Sequence, residues 1–430
     1  MNKDARNSTA ERTRRLSVKA DHTADLIGDT PLVKVSDSTH GLDDVTLWAK
    51  MELLNPYGSV KDRIGKTMYW DKRHSVEADT VIESSSGNTA KALTALTEGR
   101  HDFKTVTNRI KLDYVHDILT VLGAEITEVP GSNECPDPTN PENPNEIIRD
   151  MVRREPNEYY HTDQYFTDKN PEAHRQTGEE ILDDLPGVDI IAGDLGTSGT
   201  TRGIGEHVRD QRDDPAEIHG VITDAAGYVP GGRNKNELFE TGLFDKAFYD
   251  DIHKATTQEA IDGMLDLIRH EGILCGPTTG LVYAAITDHL ARRETRDVDV
   301  AFIACDRMEP YIGYLQENRP SLFATTSQDE SLPKPARIGY DDIEPDMLQV
   351  DTRVQYAYRR NPYPNSINIP LKTLESLLEQ GTPFSKDETV VLLCPEGVKT
   401  VHATRKLRSY GVEAYSLEEG MNQSKEVWDD

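Results

Sequence analysis

Residues 53–68, "LLNPYGSVKDRIGKTM", join a predicted strand to a predicted helix and place a lysine at the junction. The preceding "VTLWAK" alternates β-branched, aromatic and apolar side chains, as a strand does. Pro56 and Gly58 break the chain, and Ser59 is a suitable N-cap. The helix is then expected to begin near Lys61. Because the helix dipole disfavours a cation in the first turn, Lys61 would be more stable there as a neutral amine.

Strand-like and helix-like segments alternate along most of the chain. "DTVIESSSG" precedes "NTAKALTALTEG", and "DIIAGDLGTSG" precedes "TTRGIGEHVRDQ". "HGVITDA" and "DVDVAFIACD" have the composition of further buried strands. This alternation predicts an α/β fold with a mostly parallel sheet.

Composition limits the classes of function. A chain of 430 residues is long enough for two or three domains. Its 76 acidic and 48 basic residues give a formal net charge of −28, which argues against nucleic acid or an anionic membrane as a partner. The acidity is spread along the whole chain, which suits a cytoplasm with molar salt. This pattern favours a halophilic source over an ordinary acidic protein.

The cysteines predict neither a disulfide framework nor a zinc site. Cys135, Cys275, Cys305 and Cys394 are scattered without CxxC spacing, and Cys275 and Cys305 lie in apolar runs that predict burial. No run reaches the roughly 18–20 apolar residues of a membrane span. Residues 1–24 have no apolar signal region and are expected to form a disordered tail. We therefore expect a cytoplasmic protein.

Two histidines near the predicted substrate loop receive a structural interpretation. His161 and His174 have no second His, Cys or Asp at metal-ligand spacing. The sequence therefore favours packing or polar-network roles for both, and no metal site is predicted.

Two predicted strand-to-helix junctions have the chemistry of binding loops. "GTSGTTRG", residues 196–203, combines small residues, converging N–H groups and a helix N-terminus, which suits a phosphate. It lacks a P-loop lysine and the Rossmann glycine spacing, so a plain tight turn is the alternative. "ESSSGNTA", residues 83–90, suits a carboxylate or serves only as an N-cap. With a neutral lysine, the two junctions together suggest pyridoxal phosphate acting on an amino acid.

The same segments carry a resemblance. In order, "LIGDTPLVKV", "LWAKMELLNPYGSVKDRIG", "SSGNT", "LGAEITEVP", "DQYFTDKNPEAHRQTGEEI", "GTSGTTRGI" and "EGILCGPTTG" resemble the cysteine synthase and cystathionine β-synthase family of fold-type II pyridoxal-phosphate enzymes. The resemblance covers residues 25–318 and implies two α/β subdomains with mostly parallel sheets. Members are commonly homodimers, so it also implies a homodimer.

The resemblance implies roles for individual residues. Lys61 would be the Schiff-base lysine, Asn88 would contact the ring hydroxyl and Thr278 would face the pyridine nitrogen. The residues that would hold the phosphate are Gly196, Thr197, Ser198, Gly199 and Thr200. The residues that would hold the substrate carboxylate are Ser85, Ser86, Asn88, Thr89 and Gln164. In the implied reaction, Lys61 removes the α-proton of an O-activated serine, the leaving group departs, and sulfide or another thiol adds to the β-carbon.

Three features depart from the family pattern. Ser198 stands where glycine is usual, and Thr278 replaces the more usual serine. The segment "GYVPGGRNKNELFETGLFDKAFYDDI", residues 227–252, replaces a short glycine-rich stretch that shapes the substrate entrance in relatives. The leaving group and the acceptor thiol are therefore left open.

A second domain is predicted at the C-terminus. Residues 319–336 are rich in Ser, Thr and Pro and form a predicted linker. Residues 337–430 resemble a rhodanese-like sulfurtransferase domain through "LQVDTRVQYAY", "YPNSINIP" and "LLCPEGVKT". Cys394 lies at a strand end before a predicted helix, a setting that favours a thiolate able to carry sulfane sulfur. Glu396, Lys399 and Thr400 depart from the usual loop, so a structural or binding role for Cys394 is the alternative.

The sequence therefore predicts β-replacement on an O-activated L-serine with sulfide, with the C-terminal domain supplying sulfane sulfur. One alternative is condensation of serine with homocysteine, and deamination of threonine is a less favoured one. Another is a non-catalytic protein that binds pyridoxal phosphate and takes part in sulfur trafficking or regulation. The presence of Lys61, Asn88 and Gln164 together with the phosphate loop argues against that last alternative.

Overall fold

The computed structural model describes residues 19–108, 110, 112–129, 143–224, 227–238, 241–293, 297–323, 336–395, 397, 399–418 and 420–421. The chain divides into two compact units, Met1–Phe323 and Ala324–Asp430, called here the N-terminal and C-terminal units.

The N-terminal unit alternates strands and helices, as predicted. Its strands are β1 (Leu32–Lys34), β2 (Val45–Lys50), β3 (Thr80–Glu83), β4 (Asp102–Thr107), β5 (Glu125–Glu128), β6 (Tyr159–His161), β7 (Ile190–Asp194), β8 (Glu217–Thr223), β9 (Asp251–Ala255) and β10 (Val298–Ile303). Its helices are α1 (Asp37–His40), α2 (Lys61–Met68), α3 (Asn88–Thr97), α4 (Asp113–Leu122), α5 (Pro144–Arg154), α6 (Lys169–Asp184), α7 (Gly199–Gln211), α8 (Thr257–Glu271), α9 (Pro277–Arg292) and α10 (Ile312–Asn318).

These strands form two sheets. The larger has the order β1-β2-β10-β7-β8-β9, in which only the β1–β2 pair is antiparallel. The smaller has the order β5-β4-β3-β6 and is parallel throughout. The larger sheet is covered on both faces, since Val300 and Phe302 of β10 belong to one apolar cluster while Ala301 and Ile303 belong to another. The chain order reverses between β10 and β7 and between β3 and β6, and ligands bind at the carboxyl ends of strands at such points.

A buried ion network fixes α2, the helix that begins at Lys61. The Arg63 guanidinium donates to Glu52 Oε2 through Nε at 2.7 Å and to Glu180 Oε2 through Nη2 at 2.7 Å. Lys50 Nζ donates to the same oxygen of Glu180 at 2.6 Å. All four side chains are at most 5% exposed, so the network ties α2 to β2 and α6 inside the unit.

The start of α2 differs in one detail from the prediction. The N-cap position is Val60 rather than Ser59, and Val60 makes no side-chain cap. Ser59 still satisfies part of the helix end, because its Oγ accepts from the backbone N–H of Lys61 at 3.2 Å.

The C-terminal unit holds one parallel sheet of order β11-β15-β14-β12-β13. Its strands are β11 (Arg337–Ile338), β12 (Leu348–Asp351), β13 (Ser366–Asn368), β14 (Thr389–Leu393) and β15 (Glu413–Leu417). Its helices are α11 (Gln355–Arg360), α12 (Leu371–Gln380) and α13 (Val401–Ser409). The three segments that carry the rhodanese-like resemblance contain β12, β13 and the end of β14.

The ends of the predicted domains fall partly outside the described residues, namely residues 1–18 of the predicted tail and 324–335 of the predicted linker. Thr23–Leu26 form a 3-10 turn in which Ala24 is buried. Cys275 and Cys305 are buried as predicted, whereas Cys135 lies outside the described residues. Within the described ranges, no helix has the length and apolar character needed to cross a bilayer.

Candidate active site

A cavity of about 430 Å³ lies where strands of both sheets of the N-terminal unit end. The loops that follow β3, β6 and β7 contribute to its wall, as the reversals in strand order predict. The predicted site residues that border the cavity are Lys61, Ser85, Ser86, Asn88, Thr89, Gln164, Gly196 and Thr197. Those that are buried but do not border it are Ser198, Gly199, Thr200 and Thr278.

Lys61 borders this cavity as the first residue of α2. The residues before it are joined to the end of β10, since Ser59 pairs with Asp306 and the Val60 N–H donates to the Cys305 carbonyl at 2.8 Å. The junction therefore lies between the large sheet and the buried ion network of α2, which leaves the lysine little freedom of position.

Residues 196–200, which are predicted to hold a phosphate and are called here the phosphate loop, connect β7 to α7. Ser198 adopts a left-handed conformation with φ of +66°, which explains why glycine suits this position. Its Oγ is buried and has no hydrogen-bond partner among the described residues. Thr197 Oγ1 accepts from Asn170 Nδ2 at 3.0 Å, and Asn170 also donates to the Gln164 carbonyl at 2.7 Å. The loop is thus attached to the segment that carries Gln164.

His174 lies under this loop and belongs to a polar network, in line with its structural interpretation. Its Nε2 contacts Thr200 Oγ1 at 3.2 Å and its Nδ1 contacts Thr177 Oγ1 at 3.3 Å. Burial first, and then the positive charge of Lys61, hold the pKa of His174 well below its ordinary value. The imidazole is therefore neutral and supports Thr200 without adding charge to the phosphate loop.

The loop between β3 and α3, residues 84–87, also borders the cavity and contributes hydroxyl and N–H groups to its wall. Ser85 Oγ accepts from the backbone N–H groups of Gly87 and Ala90 at 3.3 and 3.2 Å. Gln164 is 2% exposed, and its Oε1 accepts from Thr89 Oγ1 at 2.8 Å while its Nε2 donates to the Ser84 carbonyl at 2.8 Å. One hydrogen of that amide nitrogen remains available for a ligand.

Asn88 is held from behind by a buried acid that the sequence analysis did not select. Asn88 Nδ2 donates to Asp306 Oδ2 at 2.6 Å, and the Tyr311 hydroxyl donates to the same oxygen. Burial raises the pKa of Asp306 to about 6, because Asn88 and Tyr311 offset only part of the desolvation. Asp306 lies three residues after the end of β10, so its position behind an apolar strand was the signal that could have identified it.

The cavity is also bordered by charged and aromatic side chains that were not predicted from the sequence. Arg149 of α5 packs over the Phe166 ring at 4.5 Å, and Arg233 packs over the Tyr165 ring at 5.3 Å. Glu237 lies on the same wall. Arg233 and Glu237 belong to the divergent segment 227–252, where the sequence analysis predicted an altered substrate entrance. The arginine of the stretch "GGR" within that segment was the sequence feature that could have identified Arg233 as a site residue.

Cys394 follows β14 in the C-terminal unit and is 2% exposed. Its Sγ lies 3.6 Å from Thr400 Oγ1, which in turn contacts Ser416 Oγ at 2.6 Å. Gly397 has a φ of +70°, and a Cβ there would lie 2.4 Å from the Glu418 carbonyl oxygen. The tight loop therefore requires glycine next to the thiol, while Glu396 lies outside the described residues.

Comparison with known families agrees with this geometry. Residues 23–306 match the family described as pyridoxal-phosphate dependent enzyme, and residues 340–426 match the rhodanese-like domain. The chain belongs to the pyridoxal-phosphate-dependent enzyme family, with the α/β architecture of fold type II, and carries a C-terminal rhodanese-like domain.

More specific likenesses lie among cysteine and cystathionine synthases. Cysteine synthase B from Pseudomonas aeruginosa is 30% identical over 311 residues, which are 69% of this chain and 97% of that protein. Cystathionine beta-synthase from Dictyostelium discoideum is 33% identical over 278 residues, 60% of this chain and 54% of that protein. The crystal structure of O-acetyl serine sulfhydrylase isoform 3 from Entamoeba histolytica has a TM-score of 0.61 at 23% identity, over 71% of this chain and 93% of that one, and shows a shared fold.

The chain spans 49–61% of the length of the cystathionine beta-synthases that it matches.

The residues present fit pyridoxal phosphate. The buried Ser198 hydroxyl, for which the described part of the chain offers no hydrogen-bond partner, lies at the N-terminus of a thirteen-residue helix, where backbone N–H groups and the dipole favour an anion. Lys61 borders the same cavity and carries the amine that a cofactor aldehyde requires. Asn88, braced by Asp306, borders the same cavity and carries an amide suited to a polar substituent of the cofactor ring.

Proposed function

We propose that the protein catalyses β-replacement on an O-activated L-serine with sulfide, as a cysteine synthase does, and that the rhodanese-like domain supplies sulfane sulfur. The observation that carries the proposal is the convergence of Lys61, the phosphate loop and the Ser85–Gln164 wall on one cavity. An amine, an anion site and a carboxylate site are the three groups that such a reaction needs from the protein.

In this proposal, the phosphate loop and the α7 N-terminus hold the phosphate, and Asn88 holds the ring hydroxyl. Thr278 is assigned to the pyridine nitrogen. It is buried in the first turn of α9, and its Cγ2 lies 3.3 Å from the position of a Cβ on Gly231, a residue of the cavity wall. The bound cofactor supplies an aldehyde for the substrate amino group and a ring that withdraws electrons from Cα.

Binding of the substrate carboxylate and removal of the Cα proton are assigned to side chains of the protein. Ser85, Ser86 and Thr89, with the free amide hydrogen of Gln164, bind the substrate carboxylate at the α3 N-terminus. Lys61 Nζ accepts the Cα proton, which fixes the side from which the proton leaves. The leaving group then departs from Cβ, and the sulfur nucleophile adds at the same carbon.

The proposed sulfur supply balances without an external oxidant. The Cys394 thiolate attacks the outer sulfur of thiosulfate, an S–S bond forms on Cys394, and sulfite leaves. Two equivalents of a small thiol then reduce the persulfide, which yields sulfide, a disulfide of the small thiol and free Cys394. The tight loop around Gly397 and the hydroxyls of Thr400 and Ser416 support this role, because they offer hydrogen bonds close to the sulfur.

A second candidate is the condensation of serine with homocysteine. Arg149 and Arg233, which border the cavity, favour an acceptor that carries its own carboxylate, as homocysteine does and sulfide does not. The identity to cystathionine beta-synthases also supports this candidate.

Product analysis separates the candidates. Purified full-length protein with pyridoxal phosphate is incubated with serine, O-acetylserine or O-phosphoserine, and with either sulfide or homocysteine. We expect cysteine from an O-activated serine and sulfide. Lys61→Ala should abolish turnover and the visible absorbance of the bound cofactor. Undiminished turnover in Lys61→Ala would refute the assignment, and cystathionine as the main product would favour the second candidate.

The role of Cys394 is tested by the sulfur source. Cys394→Ser should form cysteine from free sulfide at the rate of the unmodified protein, because sulfide needs no carrier. With thiosulfate and a small thiol as the only sulfur source, its rate should fall to that of the uncatalysed background. Equal rates of both proteins with thiosulfate would show that the C-terminal domain has a binding or regulatory role instead.

A further inference from the structure

Three histidines of the N-terminal unit meet at the edge of the large sheet. His219 lies on β8, His253 on the edge strand β9 and His289 on α9, which packs against both strands. One ring nitrogen from each lies within 4.8 Å of the other two. The ring centroids are 4.3 to 5.3 Å apart in the three pairs, so no fourth side chain separates them.

The hydrogen bonds of His219 assign its two ring nitrogens. Its Nε2 donates to Glu217 Oε2 at 2.9 Å, and Glu217 is itself held by both Nη atoms of Arg293 at 2.9 Å. A neutral His219 therefore carries its proton on Nε2 and presents the lone pair of Nδ1 to the cluster. That Nδ1 accepts a hydrogen bond from His253 Nε2 at 2.9 Å, so a metal bound between the two nitrogens would replace the shared proton.

The other two rings are also arranged as ligands. His253 Nδ1 lies 3.8 Å from Asp251 Oδ2, which could accept a proton from Nδ1 when Nε2 binds a metal. His289 Nε2 is buried and has no hydrogen-bond partner within the described part of the chain. An unpaired buried imidazole nitrogen next to two further imidazoles is unfavourable unless something binds it.

We propose that His219, His253 and His289 form a binding site for a divalent transition metal, for which Zn²⁺ is the best match. Three imidazoles suit zinc and other borderline cations, whereas Mg²⁺ and Ca²⁺ select oxygen ligands. Zinc–nitrogen bonds of about 2.0–2.1 Å require the nitrogens to be about 3.3 Å apart, which small rotations of these side chains allow. Glu217 orients His219 in the manner of the carboxylates that support zinc-bound histidines.

The site leaves a fourth coordination position on a separate cleft. A cavity of about 490 Å³ borders His253 and His289 and includes Asp288, Glu259 and Asp224 in its wall. None of its lining residues borders the cofactor cavity. Zinc would therefore bind apart from the cofactor, and it would cross-link the edge strand β9 to β8 and α9.

Zinc binding to the untagged, cofactor-loaded full-length protein tests the proposal. We expect one tightly bound zinc per chain in competition with a chromophoric chelator, and a rise in Tm with added ZnCl₂ but not with MgCl₂. His253→Gln and His289→Gln should each lose this zinc and the rise in Tm. Glu217→Gln keeps all three ligands and should weaken zinc binding about 10- to 100-fold.

Two matched variants serve as controls. Arg293→Gln breaks the same ion pair as Glu217→Gln but keeps the carboxylate on His219, and it should bind zinc like the unmodified protein. His270→Gln removes an exposed histidine at the end of α8 and should also have no effect. Zinc binding that is equal in the unmodified protein, His253→Gln and His289→Gln would overturn the proposal. Glu217→Gln, which removes no ligand, keeps the test valid if a histidine variant does not fold.

Discussion

Gly199, the first residue of α7, has no room for a side chain. A Cβ at this position would lie 2.0 Å from Asn170 Oδ1, well inside van der Waals contact. Asn170 cannot move away easily, because its amide nitrogen connects Thr197 to the Gln164 carbonyl. The conformation of the phosphate loop therefore depends on the absence of one methyl group.

We predict that Gly199→Ala weakens pyridoxal phosphate binding at least tenfold, since the loop must move away from Asn170. Cofactor titration followed by visible absorbance measures this effect. Gly187→Ala is the matched control, because a Cβ there meets no atom within 4 Å. Equal cofactor affinity of Gly199→Ala and Gly187→Ala would contradict the expected clash.

Asp306 should make stability depend on pH. Its pKa of about 6 in the folded protein lies above the ordinary value of 3.8, so its contribution to stability is complete below pH 3.8 and is lost as the pH rises through 6. Asp306→Asn removes that loss. The stability of the variant relative to the unmodified protein should therefore increase by about 2 kcal/mol between pH 4 and pH 7, because a small part of the loss already occurs below pH 4. Urea unfolding across this range measures the difference, and a difference independent of pH would refute the burial argument.

At the scale of the element, the position of α2 depends on charges inside the unit. Arg63 contacts the carboxylates of Glu52 and Glu180, which are at most 5% exposed. Lys50 is the other cation that pairs with this network in the described residues. Removal of one partner from such a network leaves buried charge without its counterion. Because Lys61 lies two residues before Arg63, the same network also sets the position of the proposed catalytic amine.

Arg63→Met should lower the free energy of unfolding by about 3–5 kcal/mol. Lys66→Met on the same helix is the control, because Lys66 is one-third exposed and pairs with Asp71 at 2.9 Å near the surface. That change should cost about 1 kcal/mol or less. Urea unfolding of both variants measures the contrast, and equal losses would show that the buried network does not stabilise α2.

At the scale of the whole molecule, the net charge of −28 should make stability depend on salt. Raising KCl from 0.1 to 1 M shortens the Debye length from about 10 to about 3 Å, which reduces repulsion among surface carboxylates. We expect Tm to rise by about 5 °C, which corresponds to roughly 2 kcal/mol for domains of this size. Calorimetry at pH 7 measures the shift. The rise should shrink near the sequence pI of about 4.8, and an equal rise at both pH values would exclude charge screening as the cause.

Much of the fold followed from local sequence. β3, β7, β8, β10 and β14 each contain a short apolar run, and small or hydroxylated residues follow several of them, so local pattern was enough to predict strand, loop and helix in order. Short or mixed strands were not predicted individually. β9, "DIHKA", has a polar edge and an irregular pattern, and its strand conformation depends on pairing with β8.

By itself, the sequence determined the lysine at the start of a helix, the two binding loops and the C-terminal cysteine loop, because each is a contiguous motif whose chemistry is local. The family resemblance assigned Lys61, Asn88 and Gln164 to one site, but only the tertiary structure showed which further distant residues contact one another. Asp306 reaches Asn88 across 218 positions, because the chain that follows β10 passes the N-terminal end of α3. His219 and His253 are 34 positions apart and meet because parallel pairing sets β9 beside β8, with α9 packed over both. No local spacing encodes such contacts, since strand register and helix packing are set by burial over the whole unit.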